Sequence, residues 1–263
     1  MSWQEIAAGV LVRRHDELDL TTGLVLGTGS AVVIDTGGDE VRGAGWAAEV
    51  RGITALPVQV VLTHAHFDHC FGTAAFRPAP VWAHAGFPAH LARTAEPQRA
   101  RWSRHYRERG ETALAAALES ARPVEPDRLV RDGAELDLGD RRVRLHHLGP
   151  GHTDHDLVVE VPDAAVTFAG DLVEQGGPPD FEDADPLRWP TAVDRLLALA
   201  PEVVVPGHGT PVDAAFARAQ REDLAALAAL CSAVAAGSLP RAAAVARSPF
   251  PASTTTAALD RVR

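Results

Sequence analysis

Residues 63–69 read T-H-A-H-F-D-H and place three histidines and one aspartate within seven consecutive positions. They follow a short apolar run, V-Q-V-V-L, of the kind that forms a buried strand. In an extended loop, alternate side chains point the same way, so His64 and His66 can bind one cation. The neighbouring Asp68 and His69 then face a different direction. The segment therefore predicts a loop at the end of a strand that supplies ligands to two adjacent metal sites.

One loop cannot complete two coordination shells, so the hypothesis requires further histidine or carboxylate ligands after other strands. The chain contains three such residues: His152 in G-P-G-H-T, Asp171 in F-A-G-D and His208 in P-G-H-G. Each lies beside glycine, which allows a tight turn and a close backbone approach. Taken singly, each is more simply interpreted as a turn residue. Together with the first cluster, they favour a metal centre.

Hydrophobic patterning predicts a mixed α/β chain. Strand-rich runs are expected over residues 6–35, 58–62, 80–83, 127–130, 134–138, 141–147, 156–161, 164–169 and 202–205, and helices over 39–51, 70–76, 86–121, 187–200 and 213–236. Two successive blocks of strands and then helices suit two layered halves. We expect one domain over residues 1–236, with a helical insertion at about 86–121. Beyond it, residues 237–263 are richer in Pro, Ser and Thr and predict a loosely packed tail.

Charge and cysteine content limit the partners and the compartment. The 35 acidic and 25 basic side chains give a net charge of -10, which argues against nucleic-acid or anionic-membrane binding. No leader-like N-terminus or spanning apolar segment is evident. The only cysteines, Cys70 and Cys231, have no metal-binding spacing and suit a reducing compartment. We therefore expect a cytoplasmic protein with a small-molecule substrate, and the sequence leaves its oligomeric state open.

The four motifs, in the order H-x-H-x-D-H, G-P-G-H-T, F-A-G-D and V-P-G-H-G, resemble those of the metallo-β-lactamase-fold hydrolases over about residues 20–210. The resemblance implies a four-layer αββα sandwich, an α/β (α+β) fold with the site at one edge of its two sheets. It also implies two divalent metal ions, with zinc favoured and iron or manganese as alternatives. The implied ligands are His64, His66 and His152 for the first metal, Asp68, His69 and His208 for the second, and Asp171 as a bridge.

The chemistry implied by this ligand set is hydrolysis by a hydroxide that bridges the metals. Five neutral imidazoles, two carboxylates, two divalent ions and one hydroxide leave a charge of about +1, which favours an anionic substrate. We assign catalytic roles to Asp171 as the bridge and to Asp68, which orients the hydroxide and accepts its proton. The expected reaction is cleavage of an ester, thioester, lactone or related bond of a small molecule.

Two polar residues near the motifs have two interpretations each. By the resemblance, Asp35 would hydrogen-bond behind the metal loop, but a plain turn aspartate explains it almost as well. His155 stands where relatives commonly have glycine. It would add a contact behind the ligands or to the substrate, or else lie on a surface loop.

The segment 86–121 is rich in arginine and carries the only tyrosine. A solvated helix surface is the favoured interpretation. The alternative is a lid in which Arg104, Tyr106 and Arg107 cover an acidic substrate.

Two other function classes remain open at this point. One is a mononuclear iron dioxygenase acting on glutathione persulfide, which uses the first site and leaves the second empty. The other is a non-catalytic metal-binding domain, which predicts lost ligands. All seven ligands are present, which favours the dinuclear hydrolase.

Overall fold

A computed structural model describes residues 3–262, which form two compact units with their boundary between Leu145 and His146. The seven-stranded sheet of the first unit has the order β1-β2-β3-β4-β5-β6-β7. Its strands are β1 (Trp3–Ala7), β2 (Val10–Arg14), β3 (Thr21–Leu26), β4 (Ala31–Ile34), β5 (Val58–Val61), β6 (Val81–His84) and β7 (Arg128–Val130). The first four strands are antiparallel neighbours, whereas β4 to β7 run parallel.

Helices connect the parallel strands of this sheet, as crossover connections require. They are α1 (Glu40–Ile53), the single turn α2 (Phe67–Cys70), α3 (Phe87–Glu108) and α4 (Thr112–Ser120), and a hairpin of β8 (Gly133–Asp137) and β9 (Arg142–His146) follows. Asp39 caps α1 because its carboxylate accepts hydrogen bonds from the backbone N–H groups of Val41 and Arg42. The core includes Leu24, Val33, Val60, Phe71 and Phe87, all fully or almost fully buried.

The second unit contains four strands in the order β13-β12-β11-β10, together with four helices. The strands are β10 (Val158–Val161), β11 (Val166–Gly170), β12 (Val203–Pro206) and β13 (Val212–Asp213), and the helices are α5 (Trp189–Leu197), α6 (Ala214–Ala235), α7 (Arg241–Arg247) and α8 (Ala252–Asp260). β11 and β12 are parallel, and the other two pairings are antiparallel. The prediction of a mixed α/β chain with two sheets flanked by helices is confirmed.

The chain end differs from the prediction of a loosely packed tail. Residues 241–247 and 252–260 form α7 and α8, and Ala244, Ala258 and Leu259 lie in the core of the second unit. Their prolines stand where helices begin, since Pro240 and Pro251 are the N-cap residues of α7 and α8. Proline is well tolerated at helix starts because it has no backbone N–H to leave unpaired. The prediction was wrong because these residues mark helix boundaries and not loose packing.

We therefore expect Leu259→Ala to destabilise the protein by about 2–5 kcal/mol, the usual cost of removing a buried leucine side chain. Leu259 is 1% exposed, whereas Leu187 is 45% exposed and provides a matched control. Denaturant unfolding of both variants measures the free energy of unfolding. Equal stability of Leu259→Ala and Leu187→Ala would show that the chain end does not contribute to the core.

None of the helices described between residues 3 and 262 combines the length and hydropathy that a membrane span requires.

Candidate metal centre

In the first unit, the candidate ligands follow directly from the pairing of β4 and β5. Ile34 is paired with Val61, so the residues that follow these strands emerge at the same edge of the sheet. Asp35 is the first residue after β4, and its φ of 59° lies in the left-handed region, which non-glycine residues rarely adopt. The Asp35 backbone N–H donates to the Val61 carbonyl over 3.0 Å. The turn holds the Asp35 side chain, which is 1% exposed, beneath the histidine loop.

The Asp35 carboxylate accepts three hydrogen bonds from this loop. Thr63 donates its backbone N–H and its hydroxyl, and His69 donates Nδ1–H, each over 2.8 Å. A carboxylate only accepts, so the His69 proton is on Nδ1 and the lone pair is on Nε2. Metal-binding histidines are commonly oriented by such a carboxylate behind the ring.

The same carboxylate orients a second histidine through Thr63. The single hydroxyl proton of Thr63 is donated to Asp35, so the Thr63 oxygen accepts from His64 Nδ1 over 3.0 Å. His64 therefore also has its lone pair on Nε2. This role of Thr63 was not predicted from the sequence. The only signal for it was a hydroxyl side chain immediately before the first histidine.

The histidine loop brings the first-unit ligands together. The His64 ring centroid lies 4.6 Å from that of His66 and 4.1 Å from that of His69, and His69 Nε2 lies 3.7 Å from Asp68 Oδ2. The extended backbone ends at His66, and α2 begins at Phe67. Asp68 and His69 are therefore placed by a helical turn, whereas the sequence predicted an extended loop in which they face away from His64 and His66.

A glutamine on α3 fixes the position of this loop. Gln98 accepts a hydrogen bond from the Phe67 backbone N–H over 2.8 Å, and its amide donates to the Ala65 carbonyl over 3.1 Å. Nothing in the local sequence indicated a role for Gln98, because the two segments are about thirty residues apart. This pair of bonds satisfies backbone groups at the point where the loop becomes a helix.

In the second unit, the candidate ligands also lie at the ends of parallel strands. Gly170 of β11 is paired with Pro206 of β12, so Asp171 and His208 follow at one edge. Asp171 Oδ2 lies 3.5 Å from His152 Nε2 and 3.3 Å from His208 Nε2. Two ligands that share one tetrahedral ion lie about 3.3 Å apart, given bonds of about 2.0–2.1 Å. One carboxylate oxygen therefore has metal-ligand spacing from both histidines.

Glycine is required beside this carboxylate. A Cβ atom built on Gly207 would lie 1.8 Å from Asp171 Oδ1, and the Gly207 backbone N–H donates to the Gly170 carbonyl over 2.9 Å. The backbone of the β12 turn thus passes directly against the Asp171 side chain. The sequence predicted this close approach from the P-G-H-G motif.

The loop that carries His152 is held by an aspartate that the sequence did not single out. Asp156 accepts from the Thr153 backbone N–H over 2.9 Å and from the Thr153 hydroxyl over 2.6 Å. Both residues are buried. The only sequence signal for this contact was the spacing of three positions between Thr153 and Asp156. It was missed because His155, which lies between them, was considered instead.

His155 is fully buried, so the alternative of a surface loop histidine is wrong. Its backbone N–H donates to the Thr153 hydroxyl over 3.1 Å, and its Nδ1 lies 2.8 Å from Asp154 Oδ1. These contacts make His155 part of the loop that positions His152. Its predicted contact with a substrate stays a prediction.

Glu174 is a further carboxyl group near the second-unit ligands. Burial raises the pKa of Glu174 to about 8, with the negative charge of Asp171 adding to the rise and His208 opposing it. The sequence did not predict this residue, although it lies only three positions after Asp171.

The predicted arginine and tyrosine lid is not assembled. Tyr106 is 3% exposed and donates its hydroxyl hydrogen bond to Glu17, and burial with that contact raises its pKa, so it stays protonated. This placement in the core corrects the expectation that Tyr106 covers a substrate. Arg104 and Arg107 are exposed on α3. The structure thus favours the solvated helix surface for both arginines.

Comparison with known proteins agrees with these motifs. The Metallo-beta-lactamase superfamily model matches residues 17–208, so the chain belongs to this superfamily and is a metal-dependent hydrolase. The acyl-coenzyme A thioesterase MBLAC2 of Gallus gallus is 30% identical over 198 residues, 70% of each chain. The probable metallo-hydrolase YqgX of Bacillus subtilis is 27% identical over 69% of this chain and 81% of its own.

Solved structures show the same fold. A metallo-beta-lactamase from Pontibacter korlensis superposes with a TM-score of 0.65 at 23% identity, covering 85% of this chain and 98% of that one. The resemblance stated from the four motifs is therefore confirmed at the level of family and fold.

Proposed function

We propose that the protein hydrolyses thioesters of small, anionic acyl carriers and that it uses two divalent metal ions, zinc being favoured. The observation that carries the proposal is the position of Asp171, whose Oδ2 atom has ligand spacing from both His152 and His208. A carboxylate shared by two histidines assigned to different metals is what a bridging ligand requires. The choice of a thioester is supported by the similarity to the chicken acyl-coenzyme A thioesterase.

The proposed ligands are divided between two metals. His64, His66 and His152 would hold the first, and Asp68, His69 and His208 the second, with Asp171 binding both. The donor set fits the group, since imidazole nitrogen and carboxylate oxygen are ligands that zinc prefers. The hydrogen bonds that Asp35 accepts keep the Nε2 lone pairs of His64 and His69 available for binding.

Such a centre, when loaded, lowers the pKa of water toward about 7 and polarises the scissile carbonyl. The residues of the chain supply orientation and proton transfer. Asp68 Oδ2 lies beside His69, and its carboxylate would accept a proton and deliver it to the leaving thiol. No serine or cysteine nucleophile is required, which agrees with the burial of Cys70. Free, buried cysteines also fit the expected reducing compartment, the cytoplasm.

The experiment is a hydrolase screen with the purified protein. Acyl-coenzyme A thioesters, simple esters, lactones, phosphodiesters and β-lactams are compared by kcat/KM, before and after chelation and after zinc is restored. We expect the highest kcat/KM for a thioester, its loss on chelation and its recovery with zinc. Faster hydrolysis of another bond class would refute the thioester assignment. Oxygen-dependent turnover of glutathione persulfide with one bound iron would support the dioxygenase instead.

A further inference from the structure

A groove of about 480 Å³ runs along the surface of the first unit between α3 and α4. Its volume is within the range of pockets that bind small molecules. The residues that line it include Glu96, Arg99, Ser103, Arg104 and Arg107 of α3 and Glu119 of α4. Along α3, these positions are separated by eleven residue steps, or about 16 Å at 1.5 Å per step.

The groove lies on a different face of α3 from the one that meets the histidine loop. Gln98 hydrogen-bonds to that loop, and the Trp102 ring packs 4.9 Å from the ring of Phe67. Successive residues turn by about 100° around a helix, so Arg104 points about 160° away from Trp102. The groove is therefore distinct from the first-unit metal ligands.

The groove contains donors whose hydrogen-bonding capacity is not used. Ser103 is 3% exposed, and its hydroxyl oxygen has no hydrogen-bond partner among residues 3–262. The buried Nε of Arg99 likewise has no partner within the described chain. Buried polar groups are almost always hydrogen-bonded, so unpaired ones call for an explanation such as a bound ion. Both unpaired donors belong to residues that line the same groove.

The charge of the groove favours an anion although the chain is acidic overall. Arg99 and Arg107 form ion pairs with Glu96 and Glu119, of 2.8 and 2.7 Å. The Arg107–Glu119 pair is solvent-exposed, and such pairs are weak enough for a ligand to replace, whereas the Arg99 side chain is partly buried. Arg104 forms no ion pair or side-chain hydrogen bond with any residue in the described part of the chain. The three arginines exceed the two glutamates by one charge, against -10 for the whole protein.

From this geometry we propose that the α3–α4 groove binds a phosphate-bearing small molecule at a site separate from the metal centre. A phosphate offers several oxygen acceptors and two negative charges, so it can accept from more than one guanidinium at once. The hydroxyl of Ser103, buried at the wall of the groove, would supply an additional donor if it turns toward the ligand. A single carboxylate provides fewer acceptors and one charge, and it would leave part of this donor set unpaired.

The test is calorimetric titration with pyrophosphate of the protein both with and without its divalent metal, because pyrophosphate also binds such ions and only binding that persists without metal belongs to the groove. Arg104→Ala is the main variant, because Arg104 is exposed and unpaired, so its loss leaves the fold intact. We expect the dissociation constant to rise by about tenfold, the scale of one lost charge-assisted hydrogen bond. Arg109→Ala is the matched control, since Arg109 lies at the end of α3 outside the groove and pairs with Glu111. Equal affinity in both variants would overturn the proposal, because the ligand would then bind elsewhere.

Ser103→Ala gives a second readout that a structural role would not produce. Removing a buried, unpaired hydroxyl should leave Tm unchanged or raise it without ligand, while reducing the increase in Tm that pyrophosphate causes. A lower Tm without ligand and an unchanged ligand effect would contradict the assigned role of Ser103.

Three further ligands define the chemistry that the groove recognises. Tighter binding of adenosine 3′,5′-bisphosphate than of pyrophosphate supports a nucleotide as the natural ligand, and equal binding of inorganic phosphate supports a free phosphate. Malonate that binds as tightly as pyrophosphate would overturn the preference for phosphate. The site does not depend on thioester hydrolysis, so a failure of the proposed function would leave these outcomes unchanged.

Discussion

Replacing Asp171 with asparagine is expected to reduce metal affinity by more than about 100-fold and to abolish hydrolysis. Substituting a residue that only hydrogen-bonds to a metal ligand already reduces metal affinity about 10- to 100-fold. A bridging carboxylate binds both metals directly, so its loss should have a larger effect. The Asp171 side chain lies within 3.5 Å of His152 and 3.3 Å of His208, so the change alters the environment of both histidines. Metal titration and kcat/KM of the variant measure the two effects.

Thermal unfolding separates the loss of a ligand from a loss of folding in this variant. Asparagine removes a buried charge, so the metal-free variant should unfold at a Tm equal to or above that of the metal-free protein. Added zinc should raise the Tm of the wild type but not of the variant. Asp163→Asn, at an exposed position in the second unit, is the control and should behave as the wild type. Normal turnover by Asp171→Asn would remove the bridging assignment.

Gly207→Ala is expected to have the second large effect. The added methyl group would lie 1.8 Å from Asp171 Oδ1, a distance that two non-bonded atoms cannot adopt. The carboxylate or the β12 turn must therefore move. A displacement of about 1 Å at a catalytic centre can reduce the rate by about 100-fold. We expect a decrease of that size in kcat/KM and weaker metal binding.

Gly177→Ala is the matched control for this substitution. Nothing lies within 4 Å of a Cβ at Gly177, so the same chemical change meets open space. The control should retain metal content and kcat/KM. If Gly207→Ala also retained both, Asp171 would not need its observed position.

Local pattern predicted the strands and the candidate ligands because each depends on neighbouring residues. The valine-rich runs β5 and β12 are buried strands, and the histidine and glycine motifs follow them directly. Motif position thus indicated which strand ends carry the ligands. The anchoring of His69 by Asp35 was predicted only as one of two interpretations, because a turn aspartate has the same local sequence.

Contacts between residues far apart in the sequence could not be predicted in this way. Tyr106 lies among charged residues and was assigned to a lid, yet its partner Glu17 is 89 positions away. Gln98 meets the histidine loop from 31 positions away. The composition of α3 did not show which of its faces packs inward, because arginines occur around much of the helix.

Native mass spectrometry of the purified protein tests most directly whether seven side chains hold two divalent ions. We expect a mass increase equal to two zinc ions per chain, which is lost on chelation. The seven proposed ligands are His64, His66, Asp68, His69, His152, Asp171 and His208. A chain saturated with zinc that binds only one ion, or none, would contradict the account.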